Sequence, residues 1–311
     1  MRLITDTPVP THHVIQFSDT HIVPEGELYH GMFDTMDNLV AAFDQVEEAG
    51  LDVAALLLTG DLADAGDLPS YRRLRAYVEK RAGALGLPVV YLMGNHDSRG
   101  PFREGLLDAE PTDEPYDHVH WAGGLRIIAL DSTAPREALG ELTDAQLGWL
   151  AAELATPAPA GTILALHHPP VPSPIGLLNS MVLAEPERLA QVITGTDVRI
   201  VLCGHAHHAS AGTLGGVPVL VAGSVAYSAR PLGPGGGYAG VTGGLFTRVD
   251  VYPGQAVATV IPVTVGEKIY ELTPEMLAQY SDEPAAGTET ATGTATGTET
   301  AAHDPDKLVE A

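Results

Sequence analysis

The chain has 311 residues, enough for one large α/β domain or two smaller ones, and its 45% hydrophobic content suits a sizeable core. Forty acidic against sixteen basic residues give a formal net charge of −24, which argues against a nucleic-acid-binding surface. The single cysteine, Cys203, excludes an internal disulfide framework and fits a reducing compartment. The opening MRLITDTPVPTHH lacks the apolar stretch of a secretory signal, and runs such as VAALLL are far too short to span a membrane. A soluble, cytoplasmic protein is expected.

The first strand-like run, HHVIQF (12–17), stops at SDTH. Phe33, Met36, Val40, Phe43 and Val46 then recur at helical spacing, with Gly50 as the stop. VAALLL (53–58) precedes TGDLAD; Pro69 opens a second helix with Tyr71, Leu74 and Val78 on one face. PVVYLM (88–93) runs into GNHD, and HVHWAGGLRIIAL (118–130) sets Gly123 and Gly124 between two strand-like runs, as in a hairpin. Thr143 with Gln146 forms a capping-box signature ahead of Leu147, Leu150 and Leu154. TILAL (162–166) leads into HHPP, a fourth helix covers Glu187 to Ile193, and VRIVL (198–202) leads into CGHAHH.

Further on, GPGGGYAG (233–240) lacks the strand–helix context of a phosphate-binding loop and reads as a flexible loop near the mouth of a site. LFTRVDVY and AVATVIPVTV flank the turn PGQ as a second hairpin. From Ser281 the composition turns to Ala, Gly, Thr and Glu, so 281–311 is expected to be a disordered acidic tail behind a catalytic domain over 1–280. Alternating strands and helices plus hairpins imply an α/β core with mixed sheets.

Five apolar runs share one ending: Asp19 and His21, Asp61, Asn95 and His96, His167 and His168, His205 and His207. Ligands of open α/β sheets collect beyond the carboxyl ends of strands, and these side chains suit first-row metals. In extended chain, residues two apart point to the same side, so Asp19 can converge with His21, and His205 with His207. One carboxylate, such as Asp61, can bridge two ions, while Asn95 offers a neutral oxygen. His167 and His168 are adjacent, and residue type alone does not choose between them.

The ordered blocks Asp19-Thr20-His21, Gly60-Asp61, Gly94-Asn95-His96-Asp97, His167 and Gly204-His205-Ala206-His207 resemble those of the calcineurin-like metallophosphoesterases, across residues 14 to 265. TGDLAD, MGNHDSR, GLRIIALD and ILALHHPP are similar to the bacterial class III cyclic-nucleotide phosphodiesterases. The resemblance implies a four-layer αββα sandwich with two mixed β-sheets and a binuclear centre of Mn, Fe, Zn or Co, divalent or mixed-valence. It implies one metal on Asp19, His21, Asp61 and His207, and a second on Asp61, Asn95, His167 and His205. Hydrolysis of 3′,5′-cAMP by a metal-bound hydroxide is then expected, with His96 assisting the leaving group and Asp97 orienting His96. Two divalent ions less two carboxylates and a hydroxide leave a single positive charge, which suits a phosphodiester monoanion. Other small diesters, such as 2′,3′-cyclic nucleotides or glycerophosphodiesters, are the alternative; a phosphomonoesterase and a non-catalytic scaffold come behind. A homodimer is compatible with the resemblance.

Tyr29, Arg99 and Tyr227 are candidates for the pocket lining. His12, His13, His118 and His120 read as surface or strand positions, and His208 as facing away from the site. Asp64 reads equally as a support for the ligands or as solvated, Asp131 as satisfying backbone groups, and Cys203 as a small core residue.

Overall fold

The first half of the chain runs β1 (His12–Phe17), α1 (Thr35–Ala49), β2 (Val53–Thr59), α2 (Leu68–Leu85), β3 (Val89–Leu92) and α3 (Arg99–Leu107). Next come β4 (His118–Ala122), β5 (Leu125–Leu130), α4 (Asp144–Leu154), β6 (Thr162–Leu166), α5 (Pro186–Ile193) and β7 (Val198–Cys203). The last strands are β8 (Ser210–Leu214), β9 (Val217–Val221), β10 (Ser228–Arg230), β11 (Ala239–Val241), β12 (Leu245–Tyr252) and β13 (Gln255–Pro262). The computed structural model describes residues 8–135, 137–273 and 276. The low-complexity segment at 281–311 lies outside the described residues. Residues 8–266 make one compact unit; beyond it, Lys268 pairs with Glu271 at 2.8 Å.

Helix ends follow the local chemistry. The Asp34 side chain accepts from the Met36 N–H at 3.0 Å to start α1, and Gly50 closes that helix at φ 58°. Thr143 and Gln146 form the expected capping box at α4: each side-chain oxygen accepts the other's backbone N–H, at 3.2 and 3.0 Å.

The strands sort into two mixed sheets, in the orders β13-β12-β1-β2-β3 and β4-β5-β6-β7-β9-β8, plus the small β10–β11 ribbon. β1, β2 and β3 are parallel, as are β5, β6, β7 and β9; the hairpin partners supply the antiparallel pairs. Both predicted hairpins form, although the second turns tightly between Tyr252 and Gln255, so Gln255 already belongs to a strand. Helices α1, α2 and α3 cover the outer face of the five-stranded sheet through Leu39, Phe43, Tyr71, Leu74 and Phe102. Helices α4 and α5 cover the far face of the other through Leu150, Leu154, Leu189 and Ile193. Between the sheets, Val14, Leu57 and Leu92 pack with Ile127, Ala165 and Leu202. This is the four-layer αββα sandwich. Among the described residues no helix is long and apolar enough to cross a membrane.

Candidate metal centre

Each of the five runs ends at the same edge of the sandwich, and there the backbone turns sharply. Asp19, His21, Asp61, His205 and His207 all have left-handed backbone, with φ between 40° and 72°. The two-residue spacings are therefore not extended chain, as the alternation argument supposed. Non-glycine residues avoid this region at a cost of about 1–3 kcal/mol each, and surrounding bonds must hold them there. Here the Asp19 N–H donates to the Gly60 carbonyl at 3.0 Å and the His21 N–H to the Asp61 carbonyl at 2.9 Å. Close approach fixes two glycines: a Cβ on Gly94 would overlap Asp61 Oδ1, and one on Gly204 would overlap Ser18 Oγ.

The turns bring two groups of ligand atoms together. Asp19, His21, Asp61 and His207 each place one ligand atom within 4.8 Å of the others, as do Asp61, His167 and His205. His205 and His207 thus serve different groups, which corrects the expectation that they converge. In the first group His207 Nε2 lies 3.3 Å from Asp19 Oδ1 and 3.1 Å from His21 Nε2. Asp61 Oδ2 is 3.7 Å from His21 Nε2 and 3.3 Å from His167 Nε2, so one carboxylate oxygen faces both groups. Asn95 Oδ1 reaches His205 Nδ1 at 2.8 Å and adds a neutral oxygen to the second group.

The outward nitrogens explain how the rings are aimed. His167 Nδ1 donates to the Thr59 carbonyl at 2.9 Å, and His21 Nδ1 contacts Asp64 Oδ1 at 3.1 Å. Each ring thereby turns Nε2 toward the carboxylates, the usual second-partner arrangement of a metal-binding histidine. The buried Nε2 atoms of His167 and His205 have no hydrogen-bond partner. Burial works against charge on His167, yet Asp61 beside it outweighs burial and pushes the imidazole up to about 10. Burial likewise opposes ionisation of Asp19, but His207 overcomes it and holds the carboxyl down to about 2. The two buried carboxylates thus draw positive charge onto the imidazoles between them. A divalent cation in place of those protons would supply the same charge to a donor set that suits it.

His168 takes no part in either group; its Nδ1 pairs with Ser132 Oγ at 2.8 Å. His96 Nδ1 donates to the Asp64 carbonyl at 2.7 Å, and its side chain is 41% exposed. The bond expected from Asp97 to His96 is therefore made by Asp64. Asp97 instead accepts from the backbone N–H groups of Leu62, Ala63 and Gly94 and from the Tyr71 hydroxyl, so it ties two ligand-bearing loops together.

A sequence profile of the calcineurin-like phosphoesterases matches residues 12–209, the span that carries every one of these side chains. The chain belongs to the calcineurin-like phosphoesterases. It is 43% identical over 263 residues to the cAMP/cGMP dual specificity phosphodiesterase of Mycobacterium tuberculosis, covering 84% of this chain and 83% of the relative. Over 196 residues it is 29% identical to the 3′,5′-cyclic adenosine monophosphate phosphodiesterase of Pseudomonas aeruginosa, 62% of this chain and 69% of that one. Among solved structures it superposes on a dimetal phosphatase from Danio rerio with a TM-score of 0.59 over 82% of this chain and 99% of that one. That pair is 16% identical, so the likeness speaks for the fold.

The phosphoesterase groups open into a cavity of about 450 Å³, within the roughly 300–1,000 Å³ of small-molecule sites. His21, Asp61, Asn95, His96, His205 and His207 form its polar end. Tyr29 and Tyr227 line it as expected; Tyr238 and Gly240 bring the glycine-rich loop to its mouth. Arg99 does not line it: the guanidinium bonds Asp131 Oδ2 at 3.1 Å and the Thr133 carbonyl at 3.0 Å. Met32 and Met181 also line the cavity and carried no signal in the sequence, because a solitary apolar residue in a loop belongs to no periodic pattern; Phe33, counted with the first helical series, lies ahead of α1 and lines the cavity too.

Proposed function

We propose that the chain is a phosphodiesterase that hydrolyses 3′,5′-cyclic nucleotides with two divalent metal ions. The observation that carries this reading is Asp61, one carboxylate oxygen facing two separate groups of ligands. The first ion would take Asp19, His21, Asp61 and His207; the second would take Asp61, Asn95, His167 and His205. Imidazole and oxygen donors suit Mn, Fe, Zn or Co, and supply in the cell selects among them. When bound, such a pair provides Lewis acidity toward the phosphoryl oxygens and brings the pKa of water toward ~7.

The protein's own groups complete the reaction. Water attacks phosphorus, the bond to the ribose 3′ oxygen breaks, and that oxygen takes up a proton. His96 would give it. Its Nδ1 is occupied by the Asp64 carbonyl, so Nε2 delivers the proton. Burial works against protonation of His96, but the Asp61 charge and the Asp64 carbonyl outweigh it and raise the imidazole above its ordinary value. Among the described residues no lysine or arginine lines the cavity, which favours a singly charged diester over a doubly charged monoester. The cyclic-nucleotide activities named for the mycobacterial and pseudomonad relatives support the substrate class.

Turnover of bis(p-nitrophenyl) phosphate, p-nitrophenyl phosphate, 3′,5′-cAMP and 2′,3′-cAMP by Mn-loaded protein, with Asn95→Ala as control, tests this reading. The expected result is diester hydrolysis lost in Asn95→Ala, with 3′,5′-cAMP ahead of 2′,3′-cAMP. A loaded protein that cleaves only the monoester, or none of the four, rejects it.

A further inference from the structure

The ligand side chains all fall within the family match at 12–209, but a large part of the cavity wall does not. Tyr227, Ala229, Tyr238, Gly240, Val241 and Thr242 lie beyond it, in and beside the β10–β11 ribbon, which pairs with neither large sheet. The ribbon is anchored to the centre itself. The Ala229 N–H donates to the His207 carbonyl at 2.8 Å, and the Ser228 hydroxyl donates to the Gly243 carbonyl at 2.8 Å. Tyr227, at its base, packs its ring 4.4 Å from the His207 ring and stacks on Tyr29 with centroids 5.3 Å apart at 29°. A Cβ on Gly240 would sit 3.3 Å from the Tyr227 ring, so the ribbon rests on that side chain.

Tyr238 and Val241 are 50% and 40% exposed, and both face the cavity as lining residues. Among the described residues no aromatic ring pairs with Tyr238, which stays half exposed beside a cavity far larger than a phosphate group. With no lysine or arginine in the described lining, this wall offers aromatic faces and hydroxyls but no site for additional negative charge.

We infer that the β10–β11 ribbon, through Tyr238 in the cavity wall that Tyr227 and Tyr29 also line, selects the organic arm of the phosphodiester: planar, uncharged and base-like. The inference rests on the phosphodiesterase reading and assigns its specificity to a part of the chain outside the family match. A nucleobase presents a π-face to Tyr238, whereas an alkyl arm does not, and stacking on an aromatic side chain tolerates any base.

The test compares kcat/KM for 3′,5′-cAMP with that for ribose 3′,5′-cyclic phosphate, its abasic analogue, in wild type, Tyr238→Ala and Tyr238→Phe. Wild type should prefer cAMP by about tenfold or more. In Tyr238→Ala the preference should shrink by about fivefold or more, through KM for cAMP, and Tyr238→Phe should restore it. Tyr238 packs against no buried core, so loss of folding does not confuse the result. A preference that is absent in wild type, or that survives Tyr238→Ala within twofold, overturns the role of the ribbon and leaves the phosphodiesterase reading standing. Hydrolysis of neither cyclic phosphate overturns both.

Discussion

Asp61 is the residue on which both ligand groups depend. Asp61→Ala should abolish metal retention and turnover together, read by elemental analysis and cAMP hydrolysis on one sample. His96→Ala should lower kcat by about 10²–10⁴ while metal content stays at the wild-type level, because the proposed general acid is lost and the proposed ligands remain. Asp64 supports both: its carboxylate meets His21 Nδ1 and its carbonyl meets His96 Nδ1. Asp64→Asn should weaken metal binding by about 10–100-fold in calorimetric titration, the scale at which outer partners of ligating histidines act. The ligand types were legible as polar residues cut into the ends of apolar runs. Their aim was not. Left-handed backbone at Asp19, His21, Asp61, His205 and His207 comes from long-range hydrogen bonds, which no local rule anticipates. For the same reason Asp97, adjacent to His96, turns away to the loop beginning at Leu62, and Asp64, distant in sequence, takes its place.

Among the elements, the strand ends are held in register by buried polar clasps. The Tyr71 hydroxyl of α2 donates to Asp97 at 2.8 Å and accepts the Ser98 N–H at 3.0 Å, so it ties α2 to the loop after β3. Tyr71→Phe should cost about 1–3 kcal/mol in urea unfolding, the penalty of leaving buried partners unsatisfied. In the second sheet Arg126 of β5 pairs with Asp197 at 2.8 Å, and Asp197 also accepts from the Ala158 N–H and the Thr162 hydroxyl. Arg126→Ala should cost about 3–5 kcal/mol because it strands a buried carboxylate.

His118 on β4 gives an acid sensitivity. Burial pushes it down to about 4 from 6.5, so the unfolded chain binds a proton there that the fold refuses. Its contribution is complete above pH 6.5 and is lost as pH falls toward about 4; His118→Phe should flatten that limb of the urea midpoint against pH. Reading by periodicity and caps found the five strands, four helices and two hairpins, where several signals agreed. It passed over α3, which buries only Phe102, Gly105 and Leu106, and the β8–β9 hairpin, although Gly215-Gly216 between two apolar runs marks its turn.

For the molecule as a whole, alternating strands and helices announced an α/β core. Which strands share a sheet was beyond local pattern: β1 to β3 lie in one and β6 and β7 in the other, and only packing across Val14, Leu57, Ile127 and Ala165 decides it. The sandwich sets ligands from both sheets edge to edge, so a bound ion should cross-link them. Chelation should therefore lower Tm by at least about 5 °C, as expected when a ligand held by the native state alone is withdrawn. The −24 charge of the chain adds to this, since Asp19 and Asp61 are buried carboxylates within an already acidic body.

The most direct measurement follows 3′,5′-cAMP hydrolysis while chelator-treated protein is titrated with Mn²⁺ and bound metal is counted in the same samples. The expected result is no turnover without metal, turnover rising as metal binds and levelling at two equivalents per chain, and neither binding nor turnover in Asp61→Ala. Hydrolysis that persists in the metal-free protein, or a chain loaded with two equivalents that leaves cAMP intact, would contradict the account.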